Sequence, residues 1–99
     1  MGEIDKLVDI CLDYKLNKFS IEEFQARIEE VLLPYECKDT LGVDQYNSGE
    51  KLELAIHAYA EPKKSKSGIQ VADLLILECL LEKKRLENNK PYMEEKLRA

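Results

Sequence analysis

Apolar side chains recur at three- and four-residue intervals at the start of this chain. They are Ile4, Leu7, Val8, Cys11, Leu12 and Leu16. At 3.6 residues per turn, this spacing places them on one side of a helix, so a first helix is predicted over about residues 3–17. The every-second-residue alternation of a half-buried strand is not found in the sequence. The pattern therefore predicts an all-α fold in which each helix buries one face.

The second helix is predicted from its start and stop signals. Ser20 and Glu23 have the spacing of a capping box, in which a hydroxyl and a carboxylate satisfy opposing backbone amides. Pro34 lacks an amide hydrogen and its ring clashes with the preceding turn, so the helix should span residues 20–33. Residues 34–48 follow neither period and contain proline, glycine, asparagine and serine, which predicts a long connection with room for one helical turn.

The third helix is predicted over about residues 48–60. Asn47 or Ser48 can cap its start, and it must finish before Pro62 because the residue ahead of a proline avoids helical angles. The basic stretch EPKKSKSG, which follows it, is predicted to be a flexible turn.

The fourth helix, predicted over residues 68–88, is the most apolar. Its apolar residues cover more than one side, so it is either the central helix or has a partner chain; they include Val71, Leu74, Leu75, Leu77, Leu80 and Leu81. ENNKP is predicted to end this helix, and residues 89–99 are predicted to form a tail in which YMEEKLRA is frayed or a short terminal helix. Ninety-nine residues suffice for one core. The sequence thus predicts a single antiparallel four-helix bundle.

Charge is unevenly distributed along the chain. The net charge is −5, and residues 1–62 carry 14 acidic and 6 basic side chains, against 6 and 9 in residues 63–99. An acidic body repels nucleic-acid phosphates, so it disfavours direct nucleic-acid binding and favours a cationic partner. Acidic residues near the start and the lack of an apolar run of about 18–20 residues predict a cytoplasmic protein without membrane spans.

The outer side of the third helix carries the candidate binding residues. Glu50, Glu53, His57 and Glu61 lie within an arc of roughly 80°, opposite the predicted core stripe of Leu52, Ala55, Ile56 and Tyr59. Leu54 shares the outer arc and can anchor in a partner's pocket, with the carboxylates supplying charge complementarity around it. The alternative is an ordinary solvated face with one stray leucine.

Two further residues of the predicted connection are interface candidates. Tyr46 lies beside Asp44, and a tyrosine can contribute a large contact area at low entropic cost. The alternative is that Tyr46 packs the connection down onto the bundle.

Metal-dependent and catalytic functions have little support. Glu53 and His57 are one turn apart, but the chain has only one histidine, and Cys11, Cys37 and Cys79 form no CxxC pair. Cys11 and Cys79 are predicted to be core residues. No glycine-rich phosphate loop or nucleophile with a base is found, so we expect a non-enzymatic protein without a cofactor.

Two stretches resemble the immunity proteins of the colicin D type, including self-protective relatives in other bacteria. Ser20-Ile21-Glu22-Glu23-Phe24-Gln25-Ala26-Arg27-Ile28 is similar to that family's pattern at the start of its second helix. Asn47-Ser48-Gly49-Glu50-Lys51-Leu52-Glu53-Leu54-Ala55 is similar to its pattern at the start of the third.

The resemblance implies a small four-helix protein that inhibits a transfer-RNA-cleaving toxin. In that family, carboxylates occupy the toxin's basic groove where RNA phosphates would lie. Carboxylates near the end of the third helix are prominent there, whereas the matching positions here hold His57 and Lys63. Either Glu53 and Glu61 substitute from neighbouring positions, or the partner is a different toxin. The rival hypothesis is a helical adaptor or regulatory protein that homodimerises through its fourth helix.

Overall fold

The computed structural model describes residues 2–98, and it describes the side chains of residues 2–88. Four α-helices follow one another: α1, Glu3–Lys15; α2, Ile21–Glu30; α3, Leu41–Ala58; and α4, Lys63–Arg98. A short 3₁₀ turn, Tyr35–Cys37, lies between α2 and α3. No strand occurs in residues 2–98, so the predicted all-α, four-helix fold is confirmed. The antiparallel arrangement stays a prediction.

The helices surround one core. α4 packs against α1 and α3, and α2 packs against the same two helices. The largest fully buried side chains come from all four helices and the 3₁₀ turn: Phe24, Leu7, Ile28, Leu41, Leu52, Leu75, Cys11, Cys37 and Cys79. Burial of Cys11 and Cys79 confirms their predicted core position and raises the pKa of each thiol to about 12.

α1 ends two residues earlier than predicted, because a C-terminal capping motif stops the helix. Asn17 adopts a left-handed conformation with φ of 61°. The amide of Asn17 donates to the carbonyl of Tyr14 and the amide of Lys18 donates to the carbonyl of Asp13, at 2.9 and 3.1 Å. These two bonds form a Schellman motif, which satisfies carbonyls at the helix end.

α2 begins as predicted and ends three residues early. The Ser20 hydroxyl accepts from the amide of Glu23 at 3.2 Å, which confirms one of the two hydrogen bonds of the predicted capping box and Ser20 as the N-cap. Val31 is already extended, with φ −71° and ψ 125°. The Gln45 side chain of α3 donates to the carbonyls of Ile28 and Val31 at 2.7 and 2.8 Å, so α3 caps the end of α2.

The prediction of a connection through residue 48 is wrong. α3 begins at Leu41, seven residues before the predicted start, and Ser48 lies buried inside the helix. Leu41, Ser48 and Leu52 lie on one side of the helix and are all buried, so packing stabilises these turns despite their weak helix-forming residues. The stretch 47–55 that resembles the family pattern therefore lies within α3 rather than at its start.

Both predicted ends of the fourth helix are also wrong. α4 begins at Lys63 rather than 68, so residues 63–68 of the basic stretch predicted as a flexible turn are helical. The backbone continues as helix to Arg98 without a break at 88, so the helix predicted near the end of the chain is part of α4 and not a separate element. None of the helices in the described part of the chain is long and apolar enough to cross a bilayer.

Candidate functional site

The earlier start of α3 extends the predicted binding face by two turns. Val43 and Tyr46 now belong to the helix and fall on the same side as the residues predicted from the sequence. We define the α3 outer face as six exposed residues: Val43, Tyr46, Glu50, Glu53, Leu54 and His57. At 100° per residue they share an arc of about 100°, opposite the buried side of α3. Tyr46 is therefore a helix residue rather than a loop residue.

Glu53 is held by two neighbours within this chain. Its Oε1 lies 3.0 Å from Nε2 of His57, one turn further along α3. Its Oε2 accepts a hydrogen bond of 2.7 Å from Nε2 of Gln25 on α2. These contacts fix the orientation of the carboxylate while about half of the side chain stays exposed, so it can still meet a partner cation.

Glu50 lies beside a second carboxylate that comes from α2. Oε2 of Glu29 is 2.8 Å from the position that a Cβ on Gly49 would occupy, so this carboxylate rests on the α3 backbone. A glycine at this position leaves the space that Glu29 uses. Glu29, Glu50 and Glu53 therefore form an acidic seam where α2 meets α3.

A groove borders this seam between the end of α2, the 3₁₀ turn and α3. We call it the α2–α3 groove; its volume is about 520 Å³. Glu29 and Glu50 line it together with the exposed side chains of Leu32, Tyr35 and Tyr46. The candidate site thus combines carboxylates with apolar and aromatic surface, a composition found in protein interfaces.

Leu54 lies at the other border of the α3 outer face. It lines a groove of about 390 Å³ between α3 and α4, together with Leu74 and Val71. Leu54 is 53% exposed. The predicted apolar anchor is therefore part of a groove wall, where it can contact an inserted side chain of a partner.

Two predicted site residues lie away from the α3 outer face. Asp44 faces α4, where its charge and a hydrogen bond between the two side chains raise the pKa of Glu78. Glu61 lies beyond the end of α3, and its carboxylate accepts from the amide and hydroxyl of Ser65 in the first turn of α4. Glu61 thus caps α4 rather than extending the α3 outer face.

Sequence reasoning did not assign to the site the residues that α2 and the segment between α2 and α3 contribute. Gln25, Glu29, Leu32 and Tyr35 lie outside α3 and reach the site only through packing. Val43 could have been found, because it lies three residues before Tyr46 and seven before Glu50.

Among the described residues, no group of three histidine, cysteine, aspartate or glutamate side chains could hold an ion. Comparisons with protein-family models, curated protein sequences and solved structures found no match to this chain.

Proposed function

We propose that this chain is an immunity protein that binds and inhibits a cognate bacterial toxin, an RNase that cleaves transfer RNA. The observation that carries the proposal is the α3 outer face, where Glu50 and Glu53 stand exposed beside Tyr46 and Leu54 on one rigid helix. The resemblance of residues 20–28 and 47–55 to the colicin D-type immunity proteins points to the class of partner.

The carboxylates remain available to a partner's cations. Glu50 and Glu53 make no ion pair with a lysine or arginine among the described side chains. A nuclease must expose lysines and arginines to bind RNA phosphates, so an acidic helix can occupy the same cleft. Covering that cleft inhibits the toxin without any chemistry from the inhibitor, and the protein needs no cofactor and no direct contact with nucleic acid.

Charge reversal tests the proposal. The probe is the C-terminal domain of the protein encoded immediately upstream, which should be a basic toxin domain that cleaves transfer RNA. The double variant Glu50→Lys, Glu53→Lys is expected to lose binding and protection, measured by calorimetry and by a transfer-RNA cleavage assay. Loss of two favourable pairs and gain of two repulsions should weaken binding by at least about 100-fold.

A matched control carries the same change in net charge elsewhere. Asp9→Lys on α1 with Glu87→Lys on α4 changes two exposed acids away from the α3 outer face. This control should bind within about threefold of the parent protein, because distant surface charges act mainly through screened long-range fields. Equal loss in both double variants, or no loss in either, would contradict the proposed site.

The second candidate function is an adaptor that homodimerises through α4. Four leucines on the side of α4 opposite its buried residues are about half exposed: Leu74, Leu77, Leu80 and Leu81. A stripe of this kind favours helix pairing. Sedimentation equilibrium of the parent protein and of the Leu77→Lys, Leu81→Lys variant tests it. A parent dimer that the variant converts to monomer would support the adaptor, and a parent monomer at about 100 μM would exclude it.

A further inference from the structure

Two tyrosines from different elements line the α2–α3 groove. Tyr35 belongs to the 3₁₀ turn and Tyr46 to α3, and they are 81% and 67% exposed. Leu32, which is 80% exposed, lines the same groove. Single exposed apolar residues are ordinary, but three around one groove form a contiguous surface of the kind that binds partners.

Carboxylates stand beside these rings. Glu29 and Glu50 line the groove, and Gly49 gives the Glu29 carboxylate room to rest against α3. The side of the groove that borders the acidic seam is therefore negatively charged. A guest cation there meets both a carboxylate and an aromatic ring.

The walls of the groove are held in place before any guest arrives. The two hydrogen bonds from Gln45 tie the end of α2 to α3, and Gln45 also lines the groove. The amide of Cys37 donates to the carbonyl of Pro34 at 2.9 Å, which closes the 3₁₀ turn that carries Tyr35. A preorganised groove loses little conformational entropy on binding.

A cation of this chain already uses one ring. Nζ of Lys38 lies 5.1 Å from the centroid of the Tyr35 ring, a cation–π distance. Lys38 also lines the groove. The face of the Tyr35 ring is therefore accessible to a positive group. A guest cation that enters the groove must either share it with Lys38 or displace Lys38.

We infer that the α2–α3 groove receives an arginine side chain of the basic partner protein. The guanidinium plane stacks on the tyrosine rings, and its fork of N–H groups donates to the carboxylates of Glu29 and Glu50. A carboxylate alone accepts lysine as well as arginine, whereas flanking aromatic rings favour the planar, weakly hydrated guanidinium. This inference rests on the proposed function for the basic partner and adds which side chain that partner inserts.

A small-molecule titration tests the groove without the toxin. N-acetyl-arginine amide is added to the ¹⁵N-labelled protein, with the matched citrulline and lysine amides as controls. Arginine should shift the amide signals of Tyr35, Tyr46 and Glu50, and citrulline, which has the same shape without charge, should not. Lys38→Met should tighten arginine binding by about threefold, because one competing cation–π contact is removed. Equal shifts with citrulline, or no shifts at these residues, would overturn the inference.

Affinities of protein variants for the toxin domain test the arginine site separately from the proposed function. Tyr46→Leu keeps apolar area and removes the aromatic face, so affinity for the toxin domain should fall about 3- to 30-fold. Leu16→Ala, at the end of α1 and outside both the groove and the α3 outer face, is the control; Leu16 is 67% exposed, like Tyr46, and the variant should change affinity less than about threefold. Unchanged affinity in Tyr46→Leu with loss in Glu50→Lys, Glu53→Lys would overturn the arginine site and keep the function. A parent protein that does not bind the toxin domain would overturn both.

Discussion

Glu82 is a carboxylate on the core-facing side of α4, only 5% exposed. Arg85 donates to it through Nε at 2.7 Å and through Nη2 at 3.2 Å, and Thr40 donates from its hydroxyl. The hydrogen bond from Arg85, opposed by burial and assisted by Thr40 and Cys37, lowers the pKa of Glu82 to about 2. The Glu82 side chain thus joins α4 to Thr40, the residue just before α3. This contact lies at the end of α3 that begins earlier than predicted.

Glu82→Gln is expected to destabilise the protein by about 1–3 kcal/mol at pH 7, because charge-assisted hydrogen bonds are replaced by weaker ones. The folded-state pKa lies below the ordinary value of 4.5, so the ionised carboxylate stabilises the fold above pH 4.5. That contribution is lost as pH falls from about 4.5 to about 2, and the gap between parent and variant should narrow there. Urea unfolding followed by circular dichroism measures it. Glu87→Gln, an exposed site on α4, is the control, and a gap that widens in acid would contradict this account.

At the scale of elements, the contact between α1 and α4 depends on a small residue. Gly68 of α4 faces Tyr14 of α1, and a Cβ on Gly68 would lie 2.9 Å from Cζ of Tyr14 and closer still to its hydroxyl. Tyr14 cannot easily move aside, because its ring stacks on Phe24 at 4.3 Å between centroids with an interplanar angle of 6°. The side chain of one helix therefore sets how closely the other can approach.

Gly68→Ala is expected to destabilise the fold by about 1–3 kcal/mol through overpacking, although alanine favours a helix over glycine. Gly49→Ala is the matched control within α3. The three atoms nearest to its Cβ would all belong to the flexible side chain of Glu29, which can swing away, so this variant should be neutral or slightly stabilising. Thermal unfolding of both variants measures the difference. Equal effects would contradict the argument from the rigid Tyr14 ring.

The contact between α3 and α4 contains a pair of like charges. The pKa of Glu78 is raised mainly by repulsion from the charge of Asp44, and to a smaller extent by a hydrogen bond between the two carboxyl groups. An acid whose folded-state pKa is raised destabilises the fold when ionised. The penalty is present in full above the folded-state pKa and is relieved as pH falls toward the ordinary value of 4.5.

Glu78→Gln is therefore expected to raise the melting temperature at pH 7 and to change it little at pH 4. Adding Asp44→Asn to this variant should give little further gain, because either substitution alone removes the repulsion. Differential scanning calorimetry of the single and double variants at both pH values measures these differences. A lower melting temperature for Glu78→Gln at pH 7 would show that its charge is favourable.

At the scale of the whole molecule, negative charge is concentrated in the part of the chain that carries the candidate site. Residues 1–62 contain 14 of the 20 acidic side chains, and they form α1, α2 and α3. Under the proposed function, this negative field steers the basic toxin domain during the encounter, before any contact forms. The same negative charge repels nucleic-acid phosphates, so under the proposed function the chain binds the basic toxin domain and not the RNA that the toxin cleaves.

Under the proposed function, the association rate with the toxin domain should fall at least about tenfold between low and high salt, because exposed charges are screened. Stopped-flow fluorescence at increasing sodium chloride measures the rate. The association rate of the Glu50→Lys, Glu53→Lys variant is expected to depend less steeply on salt. The Asp9→Lys, Glu87→Lys control has the same net charge, so comparing the two variants shows whether the position of the charges or only their total matters. A rate that does not change with salt would contradict electrostatic steering.

Local physics accounts for what could be predicted from the amino-acid order. Apolar spacing is a property of single helices, so it identified four helices, the buried cysteines of α1 and α4, and the outward position of Glu50, Glu53, Leu54 and His57. Ser20 capped α2 as predicted because its partner is only three residues away.

The tertiary structure decided where the helices begin and end and which of them meet at the site. Burial of Leu41 and Ser48 outweighs weak local propensity and starts α3 early, which turns Tyr46 into a neighbour of Glu50. Packing of α2 on α3 brings Glu29 and Gln25 to the acidic seam, and packing of α3 on α4 turns Asp44 away from it. These contacts join residues that are far apart in the chain. The spacing of apolar residues within one helix does not show which other helix will pack against it.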